Sequence, residues 1–341
     1  MATQHIDHLA ISVLDNFYCE VPEILVTPYL KIVQVDAISD ERADTLWQQF
    51  NQQFVVQRTV VRFLRNADGH SSPENVAEMP LYALVWDYSN DLPEPIKEHY
   101  DTLFTARRWM DATLTALRIL GKGTVRRYPS QNIVNGFPEL EAFIQGPLIF
   151  NSGTGYIAVS ADELATFPVD CVSDLASLAQ IIHDLNSIPL KVATSRLDSQ
   201  HSREDVFDRI LDTAIALESL YVPGNVSEIK YRMGMRVAAF LGGMSPSIRE
   251  EMYELVQVIY EARSDIAHGN RSNIKELEEK VLKSTKWKTA DELLVAMTTL
   301  LCQSLKKVLL EVGERKFMAS PGFHKALDLA GIRAQPFQLT L

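Results

Sequence analysis

From about residue 204 to 313 the chain is amphipathic at helical period almost without pause. Pro223–Gly224, Gly242–Gly243 with Pro246, Gly269 and the Lys286–Thr289 stretch break the pattern. They divide it into helices at about 204–221, 227–242, 246–268, 273–283 and 290–313. In the third, Leu255, Val258, Ile259, Ala262 and Ile266 follow one face. Short connections force consecutive amphipathic helices to lie antiparallel, so residues 200–315 are expected to form an up-and-down helical bundle.

At 341 residues the chain exceeds what one core ordinarily supports, which makes two domains the expectation. Residues 1–195 read as an α+β domain of unassigned family, so the fold class is mainly α with an α+β N-terminal domain. KIVQVDAI (31–38) and PLYALVWDYS (80–89) look like strands, β-branched or aromatic and bounded by turn residues. A helical signal begins at Asp40, and a long helix runs from Ile96 to Leu120, stopped by Gly121 and Gly123. Short strands are expected at 145–150 and 155–160, followed by helical SADELATF (160–167) and a helix over 173–186. The polar stretch TSRLDSQHSRED (194–205) is the best candidate for the domain boundary. Residues 316–341 read as a tail with a helical turn or two.

Composition narrows the function. With 46% apolar and 23% charged residues, the chain is neither disordered nor a disulfide scaffold. Its 33 basic and 44 acidic residues give a net charge of −11, which excludes nucleic-acid binding through bulk charge. Any such role must rest on a few placed cations. Cys19, Cys171 and Cys302 lie far apart without metal spacing, as expected of reduced thiols in a cytoplasmic protein. The N-terminus has neither a basic start nor a long apolar run, and no stretch approaches the roughly 20 apolar residues of a membrane span. The expectation is a cytoplasmic protein with no membrane partner.

The informative segment is MYELVQVIYEARSDIAHGNRSN (252–273), where Arg263 and His268 close an amphipathic helix just before Gly269. Arg65–His70 and Arg196–His201 share the Arg-x4-His spacing, but both read as polar, turn-like segments that would not hold the pair in place. Histidine, with an unperturbed pKa of about 6.5, suits proton transfer near neutral pH. Arginine stays charged and its planar fork grips phosphate oxygens. On a regular helix five residues turn by about 140°, so Arg263 and His268 do not face one spot. Either the helix end distorts or a second copy completes the site.

These residues resemble the RNA-cleaving signature of HEPN domains, in which an Arg and a His stand four to six residues apart. LESLY (217–221), RMGMRVAAFL (232–241) and the Tyr260, Arg263-Ser264, His268-Gly269 pattern are similar to the Apea-like branch. The likeness covers roughly 205–312. It implies a metal-independent endoribonuclease that leaves a 2′,3′-cyclic phosphate, built where two HEPN domains meet in a homodimer. It also implies prokaryotic antiphage defence, often abortive infection, with RNA as substrate and no cofactor. The catalytic set would be Arg263, His268 and Ser264, supported by Asp265, Tyr260 and Glu218. Residues 1–195 would sense a trigger, restrain the nuclease or bind a regulatory partner protein.

Each residue also has an ordinary structural reading. Arg263 and His268 suit a surface cation and a helix-terminal histidine favoured by the helix dipole. Ser264 and Asp265 suit a solvated helix face, and Tyr260 suits core packing or, at an RNA site, stacking on a base. Glu218, in the apolar stretch IALESL, needs an ionic partner if buried, with Arg232 or Arg236 the natural choice and the catalytic arginine the functional one. Arg118, Lys122, Arg126 and Arg127 form the concentrated positive patch, read as an RNA guide or as cations at a helix terminus. No phosphate loop, HExxH, GxSxG or metal spacing is present. The alternatives are a non-catalytic HEPN module that dimerises or holds a nucleotide or partner protein, and a purely structural helical protein.

Overall fold

A computed structural model describes residues 8–15, 17–34, 58–65, 71–79, 82–88, 99–121, 125–134, 159–160, 165–224, 228–269, 273–318, 322–333 and 337. The protein is mainly helical, with antiparallel sheet in its first part. Two compact units divide it, Met1–His183 and Asp184–Leu341.

The first unit has strands β1 (His8–Asp15), β2 (Phe17–Tyr18), β3 (Glu23–Leu25), β4 (Leu30–Gln34), β5 (Arg58–Arg65), β6 (Ser71–Met79), β7 (Tyr82–Tyr88), β8 (Arg126–Val134), β9 (Val159–Ser160) and β10 (Ala165–Thr166). Among its described residues are also helices α1 (His99–Leu120) and α2 (Val172–His183), the latter preceded by a 3-10 turn over Val169–Cys171. Five strands form an antiparallel sheet in the order β3–β4–β7–β1–β8. Leu84 at the centre of β7 lies opposite Ser12 on one side and Ile32 on the other. Tyr82 through Trp86 are all buried, so this strand is covered on both faces and its apolar run needs no alternation. Helix α1 packs along α2, where Trp109 stacks on His183 with ring centroids 4.2 Å apart.

The expected strands at 31–38 and 80–89 correspond to β4 and β7. Part of SADELATF is extended instead of helical: Ala165–Thr166 pairs in parallel with Phe17–Tyr18. Phe167 then packs on Phe17, centroids 6.1 Å apart, and that burial outweighs local helix propensity. The helical signal at Asp40 and the strand at 145–150 lie outside the described residues.

The second unit contains α3 (Ile188–Ser202), α4 (Val206–Tyr221), α5 (Ile229–Leu241), α6 (Pro246–Ala267), α7 (Ile274–Leu277, continued by a π-helical turn to Leu282), α8 (Ala290–Lys306, continued likewise to Val312), α9 (Glu314–Met318) and α10 (Gly322–Ile332). Local caps place the helix starts. Asp205 accepts from the Phe207 and Asp208 amides at 2.8 and 3.0 Å, and Thr289 with Glu292 forms a capping box. Pro246 follows the Ser245 cap of α6.

Helices α5 and α6 run antiparallel, as shown by Lys230–Glu261 (2.6 Å) at one end and Gly242 against Arg249 at the other. Between them Gly234 lies against Tyr253, where a Cβ would come within 2.8 Å of the ring. Helices α3 and α4 are also antiparallel, joined by Arg196–Asp212 (2.6 Å) and Ser219–Pro189 (3.1 Å). Helix α8 runs alongside α4, with Tyr221 Oη 2.7 Å from Ser304 Oγ. The Ala290–Val312 helix has the length expected over 290–313 but, contrary to the reading that no stretch approaches a membrane span, is long and apolar enough to cross a bilayer; half of its most apolar stretch is buried among its neighbours.

The polar stretch at 194–205 does not separate domains. It is helical to Ser202 because its polar side chains turn inward: Thr194, Gln200 and His201 are buried. Gln200 Oε1 accepts from Thr213 (2.7 Å) and Thr298 (3.2 Å), joining α3, α4 and α8. The described residues of the expected tail form more than a helical turn or two and join the core. Phe317 and Phe323 are buried with ring centroids 5.2 Å apart, and Phe323 stands edge-on to Phe240 at 5.6 Å.

Candidate active site

Arg263 lies on the last full turn of α6 and is half-buried. Its Nε is 3.2 Å from Glu218 Oε1 on α4. Among the described residues Glu218 is the only partner of this guanidinium. Glu218 therefore takes the arginine that the functional reading assigned to it, and the expected Arg232 or Arg236 pairing is corrected. Arg236 is committed elsewhere, bidentate to Asp328 at 2.7 and 2.9 Å. Burial pushes the Glu218 carboxyl above its ordinary value, and the Arg263 charge offsets this only in part.

His268 is the C-cap of α6 and is exposed. Its amide still donates to the Ser264 carbonyl at 3.1 Å, so its Cα keeps the helical track. Only beyond it does the backbone leave, with ψ near 3° at His268 and φ of +64° at Gly269. Gly269 thus occupies the left-handed position that ends the helix, as its sequence setting implies. Arg263 and His268 consequently project about 140° apart around the helix. Within one chain the guanidinium turns to α4 and the imidazole stands in solvent.

Ser264 is half-buried and linked to His268 through its backbone carbonyl. Asp265 and Tyr260 are half-buried on the same helix. Lys230 of α5 meets Glu261 beside them, so the α6 end carries cations and carboxylates together.

Arg196–His201 turns out to lie on a helix as well, contrary to the turn-like reading. Burial separates it from 263–268: His201 is 3% exposed, and Arg196 is spent on Asp212, which Arg203 also contacts at 3.3 Å. For the third pair, Arg65 is on β5 and His70 lies outside the described residues.

The basic patch loses its first member. Arg118 is buried, with Nε donating 2.9 Å to the Val125 carbonyl, where it closes the chain leaving α1. Arg126 and Arg127 sit on β8, opposite Asp15 and Leu14 of β1. Lys122 lies outside the described residues. Among the described residues no three His, Cys, Asp or Glu side chains converge to hold a metal ion.

No family model, curated protein or solved structure matches this chain.

Proposed function

We propose that this protein is a metal-independent endoribonuclease of the HEPN type, cleaving RNA to a 2′,3′-cyclic phosphate. The observation that carries this reading is Arg263: half-buried and paired through Nε with Glu218 of α4, five residues before an exposed His268 at a glycine-closed helix end. His268 takes the 2′-hydroxyl proton as the 2′-oxygen bonds to phosphorus and the P–O5′ bond breaks, a proton from water passes to the departing 5′-oxygen, and Arg263 stabilises the charge that develops on the phosphate oxygens. Because the two side chains diverge on one helix, each site draws them from two copies of the chain in a homodimer. The biological setting is RNA cleavage in prokaryotic antiphage defence, in the cytoplasm, with the first unit responding to a trigger or partner protein.

One observation favours a second reading. Residues 196–271 hold nine basic and twelve acidic residues, which gives RNA no broad cationic groove. A non-catalytic module that dimerises or holds a nucleotide or partner protein fits that balance. Incubation of the full chain with total RNA in the presence of chelator separates the two. The nuclease reading expects cleavage by wild type, 2′,3′-cyclic ends, and loss of cleavage in folded His268→Ala and Arg263→Ala. Undiminished cleavage by pure His268→Ala, or none by wild-type dimer, overturns it.

A further inference from the structure

We propose that α10 is a proton-sensitive strap: with His324 neutral it holds the last turn of α4 closed, and protonation of His324 releases it.

A helix leaves its final carbonyls without partners in the helix. At the end of α4 two of these are closed by tertiary side chains. The Leu220 carbonyl accepts from His324 Nε2 at 2.9 Å, and the Tyr221 carbonyl accepts from Arg236 Nη1. Arg236 is held in turn by Asp328, one helical turn beyond His324 on α10. Helix α10 thus supplies one cap directly and fixes the other through a guanidinium.

The imidazole is built for the neutral state. It is 6% exposed, and with Nε2 as donor the lone pair lies on Nδ1, which is buried and has no partner among the described residues. A second proton would place a charge and an unmatched N–H against Phe317 and Phe323, whose rings lie 5.6 and 5.2 Å away.

The charged groups around it compete. Arg236 on α5 opposes protonation, while Asp328 and the Leu220 carbonyl favour it. On α4 the Tyr221 hydroxyl is taken by Ser304, and on α8 Lys307 reaches the Phe240 carbonyl at 2.6 Å. Helix α9 contributes Glu314, which caps the Asn186 and Ser187 amides, together with Arg315 and Lys316, and Lys325 on α10 is exposed. Burial is the largest influence, and it holds His324 below the ordinary histidine value.

The sign follows. The docked imidazole binds its proton less readily than the released one, so docking is strongest above about pH 6.5. It weakens as pH falls below that, by up to about tenfold per pH unit until the docked value is reached. Glu218 lies in the same terminal turn as Leu220, so the strap also steadies the carboxylate that holds Arg263. That last consequence rests on the ribonuclease reading, whereas the strap itself does not.

Hydrogen exchange on the full chain at about pH 7.5 and 5.5, corrected for intrinsic rates, tests it without involving His268 chemistry. Amides of 322–332 and 219–222 should lose protection by up to about tenfold at the lower pH, with α8 unchanged. His324→Gln, which keeps a donor near the Nε2 position and cannot be protonated, should show no such loss. Equal protection of wild type at both pH values, or the same loss in His324→Gln, overturns the proposal. If the variant does not fold, NMR titration of the wild-type imidazole decides. A pKa below about 6.5 with coincident loss of protection supports the strap, and a higher one ends it. Absence of RNA cleavage would leave these outcomes untouched.

Discussion

Glu218 Oε1 and Arg263 Nε meet at 3.2 Å across the contact of α4 with α6, two helices separated by the whole of α5. With both side chains partly exposed, such a pair is worth only about 0–1 kcal/mol in stability. Its consequence is orientation, because Glu218 holds the Arg263 guanidinium against α4.

Glu218→Gln should separate stability from activity. The folded-state pKa of Glu218 is raised, so its contribution to stability is present below the ordinary carboxylate range and lost as pH rises through the raised value. The glutamine variant lacks that loss and should be at least as stable as wild type near neutral pH, while RNA cleavage falls. Thermal unfolding from about pH 4.5 to 7.5, run beside single-turnover cleavage, reads both quantities.

Complementation tests whether the site is shared. In a heterodimer of Arg263→Ala with His268→Ala, one site lacks both groups and the other lacks neither. Mixed and refolded, the two inactive variants should therefore recover about a quarter of wild-type cleavage, since about half the dimers are mixed and each has one intact site. A mixture as inactive as its components would place both groups in sites within single chains.

Gly234→Ala should be destabilising despite the better helix propensity of alanine. Its Cβ would come within 2.8 Å of two Tyr253 ring carbons and 2.9 Å of Gln257 Nε2, forcing α5 from α6. Overpacking of this kind costs about 1–3 kcal/mol, readable as a lower denaturation midpoint. An unchanged midpoint would mean that the two helices part freely.

Asp212→Asn probes the inward-facing polar layer. The carboxylate is 4% exposed and receives Arg196 at 2.6 Å and Arg203 at 3.3 Å. Replacing it should cost on the order of 1–3 kcal/mol in chemical denaturation, because two charge-assisted bonds weaken in a buried setting.

Phe323→Ala tests whether the chain end belongs to the core. The ring is 1% exposed among Phe240, Phe317 and Phe337, and its loss should cost about 3–5 kcal/mol. A detached tail would leave the unfolding midpoint where it was.

The five helices from 204 to 313 were legible in the sequence because their signals are local. Asp205, Ser245–Pro246, Thr289–Glu292 and Gly269 set the ends within the residues they cap, and apolar spacing sets the buried faces. Helix α3 was not legible, although Ser187 and Pro189 mark its start. Its inward residues include Thr194, Gln200 and His201, which read as surface until α4 and α8 supply partners. Arg118 misled for the same reason: a cation looks solvated until the Val125 carbonyl is brought to it.

Which arginine meets Glu218 could not be read from the chain. Arg232 and Arg236 are nearer in sequence, but helix packing sends Arg236 to Asp328 and brings Arg263 across from α6. Local chemistry alone determined the helices of the bundle, the glycine stop after His268 and the presence of a cation–imidazole pair at that end. Tertiary structure decided the partner of each charge, the burial of the polar layer and the place of the last two helices, because those depend on residues that only packing makes neighbours.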